Sequence, residues 1–419
     1  MSPLKIAINC ELAPDVQAGG TQSVVSGLVR ALGELQDGPE EYILICHPEN
    51  RAWIEAVAGR NTRLVNRPQP RRGGWRSKVQ TSLARTLRTF TGEAFRTSLD
   101  VPRSDGFYES LGAQVLHWPW QHFVVCSLPS VFNPHDLLHL HYPQFFQPRE
   151  IVARERLYPF ACRIAHTVVV GSEWVRQDLC SRYGIDARRV QVIPWAPPTR
   201  AIDELANGVT VVREKFSLPA EFALYPAVTW EHKNHLRLLA ALADLRDRRG
   251  RIVKLVCTGH RFERQWAKVE AELKRLQLQD QVQFLGAVTF PELRAIYQAA
   301  QFVFVPTLFE AASGPVFEAW QEDVPVACSN VTSLPQQAGD AALIFDPTQV
   351  APIADALDLM SSDAKLRETL RENGRRRLLG FPWERTARAY RATYRRTAGV
   401  TLSDEEAQLL AWDWMRDVH

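Results

Sequence analysis

Glu310 and Glu318 lie in Phe302-Val303-Phe304-Val305-Pro306-Thr307-Leu308-Phe309-Glu310-Ala311-Ala312-Ser313-Gly314-Pro315-Val316-Phe317-Glu318-Ala319-Trp320. An apolar strand runs through small residues into a helix, with Pro315 suited to its first turn. Free amides at such a helix start make an anion site, and Ala311 to Gly314 let phosphates approach the backbone. Glu310 in the loop and Glu318 about one turn into the helix can face one cleft, where ionised carboxylates accept hydrogen bonds from sugar and ribose hydroxyls. Two glutamates at this spacing also fit a solvated helix; the strand, loop and helix around them carry the chemical reading.

Three more stretches hold reactive residue types. Tyr225-Pro226-Ala227-Val228-Thr229-Trp230-Glu231-His232-Lys233-Asn234-His235 follows a strand and precedes a helix, which places Lys233 to give a departing diphosphate a compact positive charge. His232 adds a second cation if protonated; capping or packing explains it equally well. Ala18-Gly19-Gly20-Thr21-Gln22 presents Gly19 and Gly20 between the first strand and a helix, where glycine amides can meet a phosphate or an acceptor. It is not the Gly-x-Gly-x-x-Gly pattern, which counts against hydride transfer. In Asn133-Pro134-His135-Asp136-Leu137-Leu138-His139-Leu140-His141-Tyr142-Pro143, the histidines His135, His139 and His141 lack a convincing closed ligand set, so no metal is expected.

The elements that must position these groups alternate between short β-branched runs and longer amphipathic stretches, the rhythm of βαβ units with parallel sheets. One series of strands covers Leu4 to Cys10, Tyr42 to Cys46, Ala113 to Leu116, Thr167 to Val170 and Val190 to Ile193. A second covers Phe222 to Tyr225, Lys254 to Cys257, Val282 to Leu285, Phe302 to Val305, Pro325 to Cys328 and Leu343 to Phe345. Pro194-Trp195-Ala196-Pro197-Pro198 separates them, since prolines remove backbone donors. The expectation is an α/β protein of two doubly wound, Rossmann-like domains facing a cleft: residues 1–199, residues 200–382, and C-terminal helices over 383–419. Ser403-Asp404-Glu405-Glu406 resembles a capping box opening a last helix through Trp414 and Met415.

Composition narrows the class. The 419 residues are 46% hydrophobic and 23% charged, and 50 basic against 47 acidic residues leave a net charge of +3, too small to argue for nucleic acid. Seven cysteines, odd in number and without a Cys-x-x-Cys pair, read as reduced core residues of a cytoplasmic protein. The start goes straight into a strand without a signal-like leader, and no run is long and apolar enough to span a bilayer. Arg60 to Arg96 breaks the balance, with ten Lys or Arg against Glu93 alone. Val79, Leu83, Leu87 and Phe90 there share a helical face. This segment is either a solvated helix packed on its domain or a peripheral contact with an anionic membrane or acceptor at the inner face of the cell membrane.

The Glu310 to Glu318 stretch, Ser329-Asn330-Val331-Thr332-Ser333-Leu334-Pro335 and Gly339-Asp340-Ala341-Ala342-Leu343-Ile344-Phe345-Asp346-Pro347 together resemble the retaining GT-B glycosyltransferases with a Glu-x7-Glu signature, of the family 4 type. The Trp-x-His-Lys-Asn-His pattern at Trp230 to His235 resembles bacterial polysaccharide mannosyltransferases. The resemblance implies that Glu310 contacts the donor sugar and Glu318 the ribose, and that loop amides around Ser313, Gly314, Pro315 and Val316 meet the diphosphate. It also implies that His135 lies near the reacting sugar with Asp136 orienting it, and that the helix opened by Phe381-Pro382-Trp383 crosses back to the first domain. The family pairs Lys233 with an arginine five positions earlier, where this chain has Val228, and has a glycine and aromatic rich loop where this chain has Ala311-Ala312-Ser313-Gly314. The missing Asp-x-Asp motif disfavours the metal-dependent GT-A architecture. The implied activity is a cofactor-free hexosyltransferase taking a nucleotide-sugar donor, GDP-mannose before UDP- or dTDP-hexoses, to a saccharide or lipid-linked acceptor in polysaccharide or lipopolysaccharide biosynthesis. Two other readings stay open: a nucleotide-sugar 2-epimerase on the same fold, and a donor-binding protein that has lost turnover.

Overall fold

A computed structural model describes residues 3–12, 19–68, 101–197 and 205–413 of the chain. Two all-parallel sheets organise it. The first joins β1 (Lys5–Cys10), β2 (Glu41–Cys46), β3 (Thr62–Asn66), β4 (Val115–Trp118), β5 (Ser130–Phe132), β6 (Thr167–Val170) and β7 (Val190–Val192) in the order β3-β2-β1-β4-β5-β6-β7. The second joins β8 (Ala223–Pro226), β9 (Leu255–Thr258), β10 (Val282–Gly286), β11 (Phe302–Val305), β12 (Val326–Ser329) and β13 (Ala342–Phe345) in the order β10-β9-β8-β11-β12-β13. In each, the strand order reverses beside the first strand, between β1 and β4 and between β8 and β11. Crevices open there because the connections diverge to opposite faces.

The inner strands are buried on both faces, which is why their sequences read as continuous apolar runs, whereas the edge strands β3 and β10 are largely half-buried or exposed. Phe302, Val303, Phe304 and Val305 are all at most 1% exposed. The first sheet divides its half into two cores, one with Ile6, Ile8 and Leu44, the other with Ala7, Ile43 and Phe132. The helix Trp383–Thr397 returns to the first of these, where Ala387, Tyr390 and Tyr394 are buried with Ile6 and Val25. Its entry depends on Gly27, since a Cβ there would lie 2.1 Å from the Trp383 ring.

Ser403 and Glu406 form a reciprocal capping box, but the helix they open ends at Ala411; Trp414 and Met415 lie outside the described residues. So do residues 69–100, which hold most of the basic segment and its apolar face. Of that segment's described members, Arg60 and Arg63 are exposed. Arg67 instead turns inward, donating to the Tyr108 hydroxyl at 2.9 Å. Among the described residues no helix is long and apolar enough to cross a membrane.

Candidate active site

The loops after β8 and β11 abut because those strands are neighbours in the second sheet. The outcome is an ion pair across 77 positions: Lys233 Nζ lies 2.5 Å from Glu310 Oε1, with side chains 14% and 11% exposed. Burial pushes the Glu310 carboxyl up, and the attraction of Lys233 opposes that without cancelling it. Asp136, from the other half of the chain, also pushes it up, which places Asp136 within electrostatic reach of Glu310.

The backbone of Glu310 is clamped by groups that its motif does not announce. Its amide donates to Thr332 Oγ1 at 3.0 Å, and its carbonyl accepts from Thr332 Oγ1 at 2.5 Å and Ser333 Oγ at 2.8 Å. Thr332 takes a left-handed φ of 52° to do so. On the Lys233 side, Asn234 has a φ of 61°, and its Nδ2 donates to the carbonyls of Pro306 and Pro347, each at 2.9 Å. The His232 carbonyl accepts from the Leu308 amide at 2.7 Å and from Thr307 Oγ1 at 3.1 Å. The two loops are thereby fastened to each other and to the loops after β12 and β13.

Three expectations need correction. His232 does not stand in for the missing cation: burial first, then the charge of Lys233, drives its pKa well below the usual value, and its ring stacks on Trp230. The Ser313 amide is not available to a diphosphate, since it donates to Gln337 Oε1 at 2.8 Å while Gln337 Nε2 returns a bond to the Ser313 carbonyl at 2.9 Å. Pro315 has no N–H to offer. The helix spans Gly314–Gln321, so the amides of Gly314 and Val316 are the first-turn donors left for an anion.

Glu318, half-buried on that helix, accepts from the Tyr297 hydroxyl at 2.7 Å. Val228, half-buried, lies against Gly259, whose φ of 115° and 2.9 Å approach of a built Cβ to the Val228 nitrogen admit only glycine. His235 is buried against Tyr225 and Phe284 with both ring nitrogens unpartnered, and its pKa falls to about 3.

In the first half, His135 is 5% exposed with a φ of 65°, its Nε2 is 2.9 Å from the Pro119 carbonyl, and its ring meets Trp195 edge-on at 5.1 Å. Burial pushes its pKa down. Asp136 spends Oδ1 on the Leu138 amide at 3.0 Å. His139 and His141 go to separate carboxylates, Glu155 and Asp178, each at 2.8 Å, which gives them structural partners. Gly19 and Gly20 open the helix Gly19–Glu34, and a Cβ at Gly20 would meet nothing. Their position is the carboxyl end of β1.

The halves meet around Phe309, next to Glu310. Its ring lies 5.3 Å from that of His141 and 5.6 Å from that of Trp174, and the Leu308 carbonyl accepts from the Tyr142 hydroxyl at 3.2 Å. Beside it, a crevice lined by Trp195, Ala311, Ala312, Phe317, Ser333 and Gln337 has a volume of about 10 Å³, room for one water rather than a phosphate.

Sequence and structure comparisons follow the same division. A Glycosyltransferase Family 4 model matches residues 18–199, and a model of glycosyl transferases group 1 matches residues 212–377. O-antigen chain mannosyltransferase B of Escherichia coli is 26% identical over 61% of this chain and 67% of its own length. The serotype-specific mannosyltransferase WbdA of Escherichia coli is 26% identical over 68% of this chain, which spans 34% of that relative. A sucrose-phosphate synthase from Thermosynechococcus elongatus superimposes with a TM-score of 0.69 at 20% identity, over 94% of this chain and 98% of that one, a likeness that shows the fold.

Proposed function

The chain belongs to the GT-B glycosyltransferases of the family 4 type, and from that premise we propose that it is a retaining hexosyltransferase that moves mannose from GDP-mannose to a saccharide or lipid-linked saccharide. The observation that carries the reading is the buried Lys233–Glu310 pair, set at the switch point of the second sheet. The preference for mannose rests on the mannosyltransferase relatives and on the Trp230 to His235 pattern.

In this reading the donor diphosphate takes Lys233, which moves from Glu310 to a phosphate oxygen, while the amides of Gly314 and Val316 meet the other oxygens. Glu318 accepts from the ribose, held in place by Tyr297. The acceptor oxygen bonds to the anomeric carbon as the bond to the diphosphate oxygen breaks, and the acceptor proton passes to the leaving diphosphate on the same face. No protein nucleophile is required; the chain stabilises charge and positions the reactants. Glu310 faces the charge that develops on the sugar, and His135, held by Pro119, sits beside its hydroxyls. Work at the inner face of the cell membrane, with a peripheral contact through the basic segment, belongs to the same proposal.

The test incubates the purified chain with GDP-, UDP- and dTDP-hexoses and a saccharide panel. It follows nucleoside diphosphate release and the anomeric configuration of the product by NMR. Release with GDP-mannose and an α-linked product are expected; an inverted product would sink retention, and epimerised donor without transfer would replace the reading by the epimerase.

A further inference from the structure

The carboxyl edge of the first sheet carries a second group of polar and aromatic side chains that the donor chemistry does not use. In β1, Asn9 is fully buried and spends both ends of its amide: Nδ2 donates to Glu11 Oε2 at 2.8 Å, and Oδ1 accepts from Trp120 Nε1 at 2.8 Å. The Trp120 ring stacks on His122, with centroids 5.0 Å apart and planes 18° apart, and both are part-exposed. Arg67, beyond β3, points back so that its Nη1 stands 3.9 Å from Glu11 Oε2.

That separation is too long for a hydrogen bond, yet a hydroxyl, which both donates and accepts, bridges a carboxylate and a guanidinium at such a distance. Burial pushes the Glu11 carboxyl up, and the attraction of Arg67 and the hydrogen bond from Asn9 oppose that without cancelling it. Burial and Arg67 likewise push the His122 pKa down, so the stack is a flat neutral surface. Such a surface suits the C–H face of a sugar ring, while the carboxylate and guanidinium suit its hydroxyls. The row also has a direction. Trp120 follows the strand between β1 and β5, and the Pro119 carbonyl beside it holds His135. At a strand spacing of ~4.8 Å, Glu11 lies roughly 10 Å along the edge from the end of β5, the reach of about two sugar rings.

We propose that the row from His135 past Trp120 and His122 to Glu11 and Arg67 holds the inner sugars of an oligosaccharide acceptor, so that the enzyme extends a chain rather than a single sugar. This rests on the transferase reading above and adds the class and length of its acceptor.

The experiment measures kcat/KM with the accepted donor for methyl glycosides of mannose, glucose, galactose and N-acetylglucosamine, each as the mono-, di- and trisaccharide. The wild type is expected to prefer its best trisaccharide to the matching monosaccharide by on the order of tenfold or more, and Trp120→Ala and Glu11→Gln each to lose most of that preference. Trp120→Phe, which keeps a flat ring, should recover it. Calorimetric affinity for the nucleoside diphosphate, unchanged in all three variants, shows that they are folded. Turnover that is indifferent to chain length in the wild type, or a preference that survives in both Trp120→Ala and Glu11→Gln, overturns the inference alone. No turnover with any donor and acceptor sinks the transferase reading and takes the inference with it.

Discussion

Lys233 and Glu310 are each half of a buried pair, and the cost of breaking it depends on which half is removed. Lys233→Ala leaves an ionised carboxylate without its cation, a loss of about 3 kcal/mol or more in buried pairs. The sign with pH follows from the carboxyl's raised pKa. The folded protein holds the Glu310 proton to higher pH than the unfolded chain does, so stability falls as pH rises from the unfolded carboxyl pKa through the folded one. Removing Lys233 raises the folded value further and extends that fall upward. Melting temperatures should therefore separate little between variant and wild type near about pH 5 and widely near about pH 8, and Lys233→Ala with Glu310→Gln should recover most of the difference. A separation that is constant with pH would mean that Glu310 is not the titrating group. Activity should fall in turnover more than in donor affinity, because the cation matters most as the diphosphate leaves. Glu318 should behave oppositely: Glu318→Ala removes a charged acceptor worth roughly 1.5 to 3 kcal/mol, so calorimetric affinity for GDP should drop about tenfold or more. Unchanged affinity in a folded variant would end the ribose assignment.

The helix Trp383–Thr397 ties the end of the chain to the loop that carries His135. Asn133, two residues before His135, donates to the Tyr390 hydroxyl at 2.7 Å, and its Oδ1 lies 2.8 Å from His117 Nε2, whose Nδ1 is 2.8 Å from the Tyr394 hydroxyl. All four side chains are at most 2% exposed. Tyr390→Phe strands a buried amide donor, so unfolding by urea should show a loss of about 1 to 3 kcal/mol, with hydrogen exchange in residues 133–137 rising more than in β8 and β11. A uniform rise would reduce the network to general stability. Burial depresses the His117 pKa to about 4, so its contribution is whole above the unfolded value near ~6.5 and fades as pH falls through that window. The sequence disclosed part of this. Runs such as Phe302 to Val305 announced their strands, whereas Ser130-Val131-Phe132 is too short to show a period, and Thr62–Asn66, at the sheet edge, has only half-buried and exposed positions. Glu310, Glu318, Lys233 and His135 stand out in the sequence because each sits in its own local motif. The Lys233–Glu310 contact was not, because it arises from two strands becoming neighbours, and neither were Thr332, Ser333, Gln337 and Tyr297, whose roles depend on which partner packing brings within reach. His117 in an apolar strand and two tyrosines four apart on a helix were the available hints of the buried network.

At the scale of the whole molecule, the contact between the two halves and the placement of the Glu310 carboxylate are neighbouring features of one loop. Phe309, 3% exposed, is covered by His141, Trp174 and Tyr142 of the first half, and Glu310 is its neighbour in the chain. His141 is itself braced by Asp178, so the socket is stiff. The crevice beside this contact admits about one water, so with the halves in this arrangement that crevice does not itself hold a nucleotide-sugar. In the proposed transferase, parting and closing of the halves would serve two purposes: excluding water from an activated sugar and bringing the first half's loop up to Glu310. Phe309→Ala removes the apolar side chain that holds the halves together, a truncation worth about 3 to 5 kcal/mol at a fully buried site. The variant without nucleotide should therefore scatter X-rays with a larger radius of gyration than the wild type, and GDP should draw it back by bridging Lys233 and the first-turn amides to the facing loops. Turnover should fall further than affinity for GDP, since the proposed donor contacts lie in the second half while the proposed acceptor groups lie in the first. Superposable scattering curves for the two nucleotide-free proteins, with turnover unchanged, would show that Phe309 only fills space and that closure is governed elsewhere.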